Sequence, residues 1–203
     1  MLFKNQKYVI VKKAISKELA LFINNYFLLK RQVANTLFSS TYISPFETMF
    51  GVWDDTQIPN TYSHYADNVM ETLLLKVQPI VEKQTNLKLN PNYSYARIYK
   101  KGDELKKHKD RFSCEISTTL NLGGDLWSIY LEKESKKIKV DLTPGDMLIY
   151  KGSELEHWRN VFKGKECTQV FLHYNNVKTK NSDKNIFDRR PHLGLPLRFK
   201  KDE

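Results

Sequence analysis

Cysteine is scarce in this sequence, with only Cys114 and Cys167 among 203 residues. Two cysteines cannot build a disulfide framework, and a reducing cytoplasm is therefore the expected location. Long apolar runs are also missing, so a membrane-spanning helix is not expected. Residues 1–13 interleave charged with apolar side chains, which is unlike a secretory signal. No internal repeat or low-complexity linker divides the chain.

Acidic residues are outnumbered by basic ones. The 33 lysines and arginines against 23 acidic residues give a net charge of +10, which favours anionic partners. An arginine-rich arm, zinc-finger spacing and an RNP-like motif are all missing, so a solvated lysine-rich surface is the simpler interpretation. The hydrophobic content of 40% is enough for the core of one domain.

Helical patterns are confined to the N-terminal half, where residues 7–14 first form a β-prone run. Ser16 can then cap a helix whose apolar stripe comprises Leu19, Phe22, Ile23, Tyr26 and Phe27. A second helix is predicted from about Ala66, with apolar residues at Val69, Leu73 and Val77. Pro79 should kink or end that helix, because proline lacks the backbone donor.

From residue 93 the pattern changes to short β-prone runs separated by turns. The runs are YSYARIYK, ISTTLNL, LWSIYLE, KIKVDL, DMLIYK and TQVFLHY. Short strands in series after N-terminal helices predict a mainly β fold with helices at one end (α+β), a jelly roll or barrel. We therefore expect an N-terminal helical support integrated with the core (1–92), a β core (93–174) and a tail that packs on the core (175–203).

A histidine and an aspartate, His108 and Asp110, stand one residue apart. The pattern is weak alone, but residues i and i+2 of an extended segment point the same way, so both could face one ion. His157, from a distant strand, could supply a third ligand. Two imidazoles and one carboxylate leave coordination positions open, which suits Fe(II), although zinc or a structural divalent ion could use the same set.

Residues 93–174 resemble the catalytic core of the Fe(II)- and 2-oxoglutarate-dependent dioxygenases of the prolyl 4-hydroxylase-like type. The matching pieces, in order, are YSYARIYKKGDELKKHKD, ISTTLNL, the turn Gly123-Gly124, LTPGDMLIYKG, and ELEHWRNVFKGK followed by FLHY. The resemblance implies a double-stranded β-helix, a cupin-like jelly roll. It also implies Fe(II) held by His108, Asp110 and His157, with 2-oxoglutarate and O2 as co-substrates and ascorbate as a further candidate.

The far carboxylate of 2-oxoglutarate needs a cation, best an arginine with a hydroxyl group beside it. The position where the family usually has this basic residue aligns with Cys167, which we interpret as a small core residue. Arg159 is the predicted substitute, because it lies two residues after His157 and points to the same face. Lys165, in the turn, is the second choice. The remaining candidates are Arg97 and Arg111.

The resemblance places hydroxyl groups near 2-oxoglutarate at Tyr99 and Thr119. Strand alternation puts Tyr99 on one face with Tyr95 and Arg97, and Thr119 on one face with Ser117 and Asn121. An alternative is that Ser117 and Thr119 face solvent, since Thr118 makes the alternation imperfect. We interpret His64 and His173 as structural residues.

The activity implied by the resemblance is hydroxylation of a C–H bond, with decarboxylation of 2-oxoglutarate to succinate. A peptidyl substrate, prolyl among the candidates, or another extended molecule is expected. The alternatives are oxidative demethylation of nucleic acid, supported here only by the positive charge, and a jelly roll that binds metal without turnover. Substrate recognition should lie on residues 41–65 and 175–203, and Asp188, Arg189 and Arg190 are expected to form local salt bridges rather than reach over the site mouth. No pattern indicates the oligomeric state.

Overall fold

The computed structural model describes residues 2–201. Residue 1 and residues 202–203, the outer ends of the predicted N-terminal support and tail, lie outside the described residues. Within that range the helices are α1 (Leu2–Gln6), α2 (Lys17–Ser39) and α3 (Asn68–Thr85). The strands are β1 (Tyr8–Val11), β2 (Ser63–Tyr65), β3 (Leu89–Lys100), β4 (Leu105–His108), β5 (Ile116–Gly124), β6 (Ile129–Lys133), β7 (Lys136–Val140), β8 (Met147–Tyr150), β9 (Glu156–Arg159) and β10 (Glu166–Asn176).

The strands form two antiparallel sheets. The larger sheet has the order β1-β8-β5-β10-β3-β2, and the smaller has the order β4-β9-β6-β7. From β3 to β10 the chain passes back and forth between the two sheets, except at the hairpin of β6 and β7, as is typical of a jelly roll. The predicted mainly β fold with N-terminal helices is confirmed. The sequence runs did not include β2, β4 or β9, which are three or four residues long.

Helices α2 and α3 cover the outer face of the larger sheet. Along β5, alternate side chains at Ile116, Leu120 and Leu122 join one apolar core with both helices. The helices contribute Ala20, Ile23, Phe27, Met70, Leu73, Leu74, Val77 and Val81 to that core. The other face of β5 points between the two sheets, so both faces of this strand are buried. The alternative that Ser117 and Thr119 face solvent is therefore wrong.

The start of α2 agrees with the sequence prediction, since the Ser16 hydroxyl accepts the backbone N–H of Leu19 at 3.1 Å. One residue of the predicted apolar stripe, Phe22, does not face the core. Phe22 is 69% exposed, whereas Ile23 and Phe27, one turn apart, are buried. The side chain of Phe22 is rotated away from these neighbours by the helical period of 3.6 residues.

Pro79 does not end α3, which continues to Thr85. The proline deprives the carbonyl of Leu75 of its helical donor. Both Pro79 and Leu75 lie on the exposed side of the helix, where water can satisfy that carbonyl. The opposite side of α3, with Val77 and Val81, stays packed on the sheet.

The tail after β10 makes long-range contacts rather than the local salt bridges expected of it. Arg190 forms a bidentate ion pair with Glu71 of α3, with N–O distances of 2.7 and 3.2 Å. Asp188 contacts Arg111 and the hydroxyl of Tyr65. No helix within residues 2–201 is long and apolar enough to cross a membrane.

Candidate metal centre

His108 and His157 are register partners on the antiparallel strands β4 and β9, with ring centroids 4.3 Å apart. The Nδ1 of His108 lies 2.7 Å from the carbonyl oxygen of Lys106, and the Nδ1 of His157 lies 3.1 Å from that of Leu155. A carbonyl oxygen can only accept, so each Nδ1 carries the proton. Each Nε2 therefore presents a lone pair, which is the arrangement found in metal-bound histidines.

Asp110 follows β4, and its backbone N–H donates to the carbonyl of Gly152 at 2.9 Å. One carboxylate oxygen, Oδ2, accepts the Ser117 hydroxyl at 2.6 Å. The other, Oδ1, lies 3.4 Å from Nε2 of His157 and 3.7 Å from Nε2 of His108. A β-carbon at position 152 would collide with Oδ2 and with the Ser117 hydroxyl, so glycine is required for this close approach.

The protonation states of this cluster suit a divalent metal. Burial alone would raise the pKa of Asp110, but His157 and the Ser117 hydroxyl hold the pKa of this carboxyl well below its usual range. Partial burial and the neighbouring His157 lower the pKa of His108. At neutral pH the cluster therefore offers one carboxylate and a neutral His108 as ligands.

The three candidate ligand atoms lie within 4.8 Å of one another. When both imidazoles are neutral, all three atoms are acceptors converging on one point, and a shared cation would relieve the repulsion between their lone pairs. Two histidines and one carboxylate fit a divalent metal and leave positions open for further ligands. The structure thus brings together His108, Asp110 and His157, the residues predicted from the sequence, and their role as metal ligands stays a prediction.

Arg159 lies two residues beyond His157 on β9, and only 1% of it is exposed. Its guanidinium donates to the carbonyl of Trp127 and, at 3.3 Å, to the Thr119 hydroxyl, and it lies 5.0 Å from the Trp127 ring centroid. Its Nε has no hydrogen-bond partner among the described residues. A buried cation is costly without an opposite charge, yet no carboxylate in residues 2–201 forms an ion pair with Arg159. An anionic ligand would supply that charge.

The other basic candidates are already paired or lie outside the barrel. Arg97 forms a buried ion pair with Asp55. Arg111 pairs with Asp188 at 3.2 Å. Lys165 is exposed in the turn before β10. Neither Lys165 nor Arg159 lines the cavity, but Arg159 is buried inside the barrel, where it donates to the Thr119 hydroxyl. Arg159 is therefore the candidate that best fits an anion inside the barrel.

The predicted hydroxyl groups lie on the interior face. Thr119 accepts from Arg159 and donates to Oε1 of Gln169 at 3.2 Å. The Tyr99 hydroxyl accepts from Arg97 at 3.3 Å, and its ring packs 4.7 Å from that of Trp127. Trp127 thus links the Tyr99 and Arg159 side chains.

Cys167, at the position where the family's basic residue was expected, is fully buried beside this group. Burial raises the pKa of its thiol, so the residue is neutral at physiological pH. The side-chain amide of Gln169 donates to its sulfur at 3.2 Å. This agrees with the interpretation of Cys167 as a small core residue.

A cavity of about 370 Å³ opens onto the three candidate ligands. Its other walls include residues that the sequence interpretation did not assign to the site: Asp55, Gln57, Tyr93, Cys114, Tyr150, Phe171 and His173. The amide nitrogen of Gln57 lies 3.3 Å from Nε2 of His108. His173 could have been found by alternation, since it lies two residues after Phe171 on the same face of β10, whereas Asp55 and Gln57 stand in a loop without a period.

No protein-family model and no curated protein matches this chain. Several solved structures do match this chain. A prolyl-4-hydroxylase from Pseudomonas putida matches with a TM-score of 0.66 at 12% identity, covering 86% of this chain and 95% of its own. HygX from Streptomyces hygroscopicus, with nickel, 2-oxoglutarate and hygromycin B bound, matches with a TM-score of 0.64 at 13% identity, covering 87% and 86%.

A third similar structure is a prolyl hydroxylase from Trichoplax adhaerens in complex with a peptide fragment of the hypoxia inducible factor oxygen degradation domain. Its TM-score is 0.58 at 13% identity, covering 85% of this chain and 86% of its own. The resemblance found in residues 93–174 is thereby confirmed at the level of the fold. The chain has the double-stranded β-helix shared with the 2-oxoglutarate- and Fe(II)-dependent oxygenases.

Proposed function

We propose that this chain is an Fe(II)- and 2-oxoglutarate-dependent oxygenase that hydroxylates a C–H bond of a peptidyl or other extended substrate. One observation carries the proposal. The same barrel strand, β9, presents His157 to the acceptor cluster and, two residues later, a buried Arg159 that lacks a carboxylate partner among the described residues. A metal with open positions and an anion that chelates it would satisfy both features at once.

In this proposal His108, Asp110 and His157 hold the iron. Arg159 binds the far carboxylate of 2-oxoglutarate, with the hydroxyl groups of Thr119 and Tyr99 as its neighbours. Bound there, iron and 2-oxoglutarate supply the oxidising chemistry, in which O2 is consumed and 2-oxoglutarate is decarboxylated to succinate.

The chain's own residues orient these groups and restrict water. The Ser117 hydroxyl fixes Asp110 through Oδ2 and leaves Oδ1 directed at the histidines. The ring of Tyr150 packs 4.8 Å from that of His157 and fixes the imidazole plane. Leu105 and Ile129 line the inner wall, where apolar side chains lower the local polarity around the cluster.

The cavity wall near His108 favours an extended substrate. Gln57 and His108 line both the central cavity and a second groove, which runs between residues 56–59 and 100–106. A chain longer than one amino acid could follow this path away from the metal centre. Two proteins of the same fold are prolyl hydroxylases, and one of them is solved with a peptide, which supports a peptidyl substrate here as well.

The test is conversion of 2-oxoglutarate to succinate by purified protein with Fe(II) and O2, measured without added substrate as slow uncoupled turnover. We expect succinate to form with the wild type and to be lost in Asp110→Ala. Asp141→Ala, at an exposed aspartate beyond β7, is the matched control and should retain turnover. Turnover that survives in Asp110→Ala, or that is missing from the wild type although iron binds, contradicts the proposal and favours a metal-binding jelly roll.

A further inference from the structure

Arg111 lies at the mouth of the cavity, directly after Asp110. Its guanidinium carbon lies 4.9 Å from the ring centroid of Tyr93, and its Nη2 lies 3.2 Å from Oδ2 of Asp188. About half of the side chain, 51%, is nevertheless exposed. The ion pair with Asp188 and a hydrogen bond to the Tyr93 hydroxyl hold the guanidinium in place, and its exposed part faces the cavity mouth.

Asp188 comes from the C-terminal tail and is almost fully buried. Besides Arg111, it accepts the Tyr65 hydroxyl at 2.8 Å and contacts the ammonium group of Lys200 at 3.1 Å. The Asp188 carboxylate therefore pairs with both Arg111 and Lys200, and these three side chains together keep a net positive charge.

The backbone that carries Asp188 is in an unfavourable conformation. Phe187, Asp188 and Arg189 have φ values of 54°, 54° and 66°, in the left-handed region that L-residues with a β-carbon rarely adopt. The next residue, Arg190, locks this segment by donating from Nε to the carbonyl of Phe187 at 2.7 Å and by pairing with Glu71. Such strain is retained where the surroundings enforce it, and it often marks a functional position.

The other charges around the cavity are balanced, which leaves the mouth positive. Asp55 is paired with Arg97, and the proposed divalent metal would outweigh the negative charge of Asp110. The Lys109 side chain lines the mouth and forms no ion pair in the described range, although its charge acts on Glu156 of β9. Lys109 and Arg111 are thus the excess positive charge beside the proposed metal.

We propose that Arg111 is a specificity-determining residue that binds an acidic side chain of a peptide substrate, and that Asp188 positions it. The inference rests on the proposed function, since it assigns the substrate class for the same site. An acidic side chain next to the hydroxylated residue would meet a fixed guanidinium, and charge-assisted hydrogen bonds of this kind are among the stronger polar contacts.

The groove beyond His108 favours an acidic peptide over a nucleic acid. Lys101 and Lys106 line this groove, but Asp103 and Glu104 are interleaved with them, and Lys100 is already paired with Asp103 at 2.7 Å. A phosphate backbone, with a charge at every nucleotide, would be repelled by these carboxylates, and it needs a series of free cations. A peptide, in contrast, can carry acidic residues only at those positions that face cations.

The test compares two fluorescein-labelled peptides that contain proline, one with glutamate on both sides of it and one with glutamine instead. Binding is followed by fluorescence anisotropy to the full chain loaded anaerobically with Fe(II) and 2-oxoglutarate. We expect the wild type to bind the glutamate peptide about 10-fold more tightly than its glutamine counterpart, as one charge-assisted hydrogen bond would give. Arg111→Gln should reduce this preference to less than about 2-fold.

Asp188→Asn should weaken the preference without removing Arg111, and Arg111→Lys should restore part of it. Lys137→Gln, on the distant β7, is the matched control and should leave the preference unchanged. Because Arg111 is half-exposed, its variants should fold even if Asp188→Asn does not.

Equal binding of the two peptides by the wild type overturns the inference, as does a preference that survives Arg111→Gln. Tighter binding of single-stranded oligothymidylate than of the glutamate peptide also overturns it, in favour of a nucleic-acid substrate. The visible absorption band of the Fe(II)–2-oxoglutarate complex is recorded on the same samples. It distinguishes failure of the proposed function from failure of the role assigned to Arg111. Without the band the proposed function fails, whereas a band without charge preference contradicts only the role of Arg111.

Discussion

His108 and His157 face each other across β4 and β9, and each holds its Nδ1 against the carbonyl oxygen two residues earlier. The same hydrogen bond from Nδ1 to a backbone carbonyl thus fixes both imidazoles in the tautomer that exposes Nε2. Because the two strands pair at these histidines, the two nitrogens converge with Oδ1 of Asp110, which lies just beyond β4 and is held by its backbone bond to Gly152 and by the Ser117 hydroxyl. This preorganisation is what a metal centre requires.

Ser117 should tune metal binding although it is not a ligand. Its hydroxyl donates to Oδ2 of Asp110 at 2.6 Å and so orients Oδ1. We expect Ser117→Ala to weaken Fe(II) or Mn(II) affinity about 10- to 100-fold, as is typical when a residue that orients a ligand is removed. Calorimetric titration measures this, and Ser128→Ala, at a serine on the outside of the barrel near Asp141, should leave the affinity unchanged. Equal affinity in the wild type and Ser117→Ala would show that Asp110 is oriented by its backbone alone.

Arg159 should control the affinity for 2-oxoglutarate and not for the metal. Arg159→Gln removes the buried cation, and the loss of charge-assisted hydrogen bonds should raise the apparent Kd for 2-oxoglutarate about 10- to 100-fold. Fe(II) affinity should stay close to that of the wild type. Lys165→Ala serves as the control at the exposed turn. A raised Kd in Lys165→Ala with none in Arg159→Gln would reverse the assignment.

His64 should make folding stability depend on pH. Its side chain is buried, its Nδ1 lies 3.2 Å from Oδ2 of Asp67, and burial lowers its pKa despite that carboxylate. The unfolded chain therefore takes up a proton near the ordinary value of about 6.5, before the folded chain does. The free energy of unfolding is thus highest above that pH and falls as the pH drops through the window below it, by up to about 1.4 kcal/mol per pH unit.

Urea unfolding between pH 7 and 5 measures this slope. His64→Gln should flatten it relative to the wild type, because the substituted side chain does not titrate. His192→Gln, at an exposed position in the tail, is the comparison and should retain the wild-type slope. An unaltered slope in His64→Gln would mean that other groups cause the pH dependence.

The C-terminal tail should be anchored by the Glu71–Arg190 pair, which is excluded from solvent. Arg190→Met leaves the Glu71 carboxylate buried without its cation, which typically costs about 3–5 kcal/mol of unfolding free energy. Lys88→Met breaks the pair with Glu82, in which Lys88 is 80% exposed, and should cost less than about 1 kcal/mol. Chemical denaturation of the two variants gives the comparison. Similar costs would indicate that water reaches the Glu71–Arg190 pair.

The elements predicted well from the sequence are those whose local pattern agrees with their final packing. Ser16 begins α2 because its cap is local, and β5 alternates because one face packs on the helices while the other points between the two sheets. Strands β4 and β9, which carry the two proposed histidine ligands, were missing from the β-prone runs because each is four residues long and rich in charge, although His157 and Arg159 were expected on a strand. Their strand character comes from pairing with each other.

Other features could not be predicted because they depend on long-range contacts. Asp55 reaches Arg97 from a loop without a period, and Asp188 reaches Arg111 from a segment with an unusual backbone. Pro79 was tolerated because its side of α3 faces water, which the sequence pattern alone did not show. The roles of His108, Asp110, His157 and Arg159, the domain divisions and the cytoplasmic location stay predictions.

The most direct measurement is anaerobic titration of the Fe(II)-loaded protein with 2-oxoglutarate, followed by visible absorption. The weak charge-transfer band of the chelate should appear in the wild type, should be missing in His108→Ala, and should need more 2-oxoglutarate in Arg159→Gln. Iron binding without the band at saturating 2-oxoglutarate would contradict the proposed oxygenase and leave a jelly roll that only binds metal.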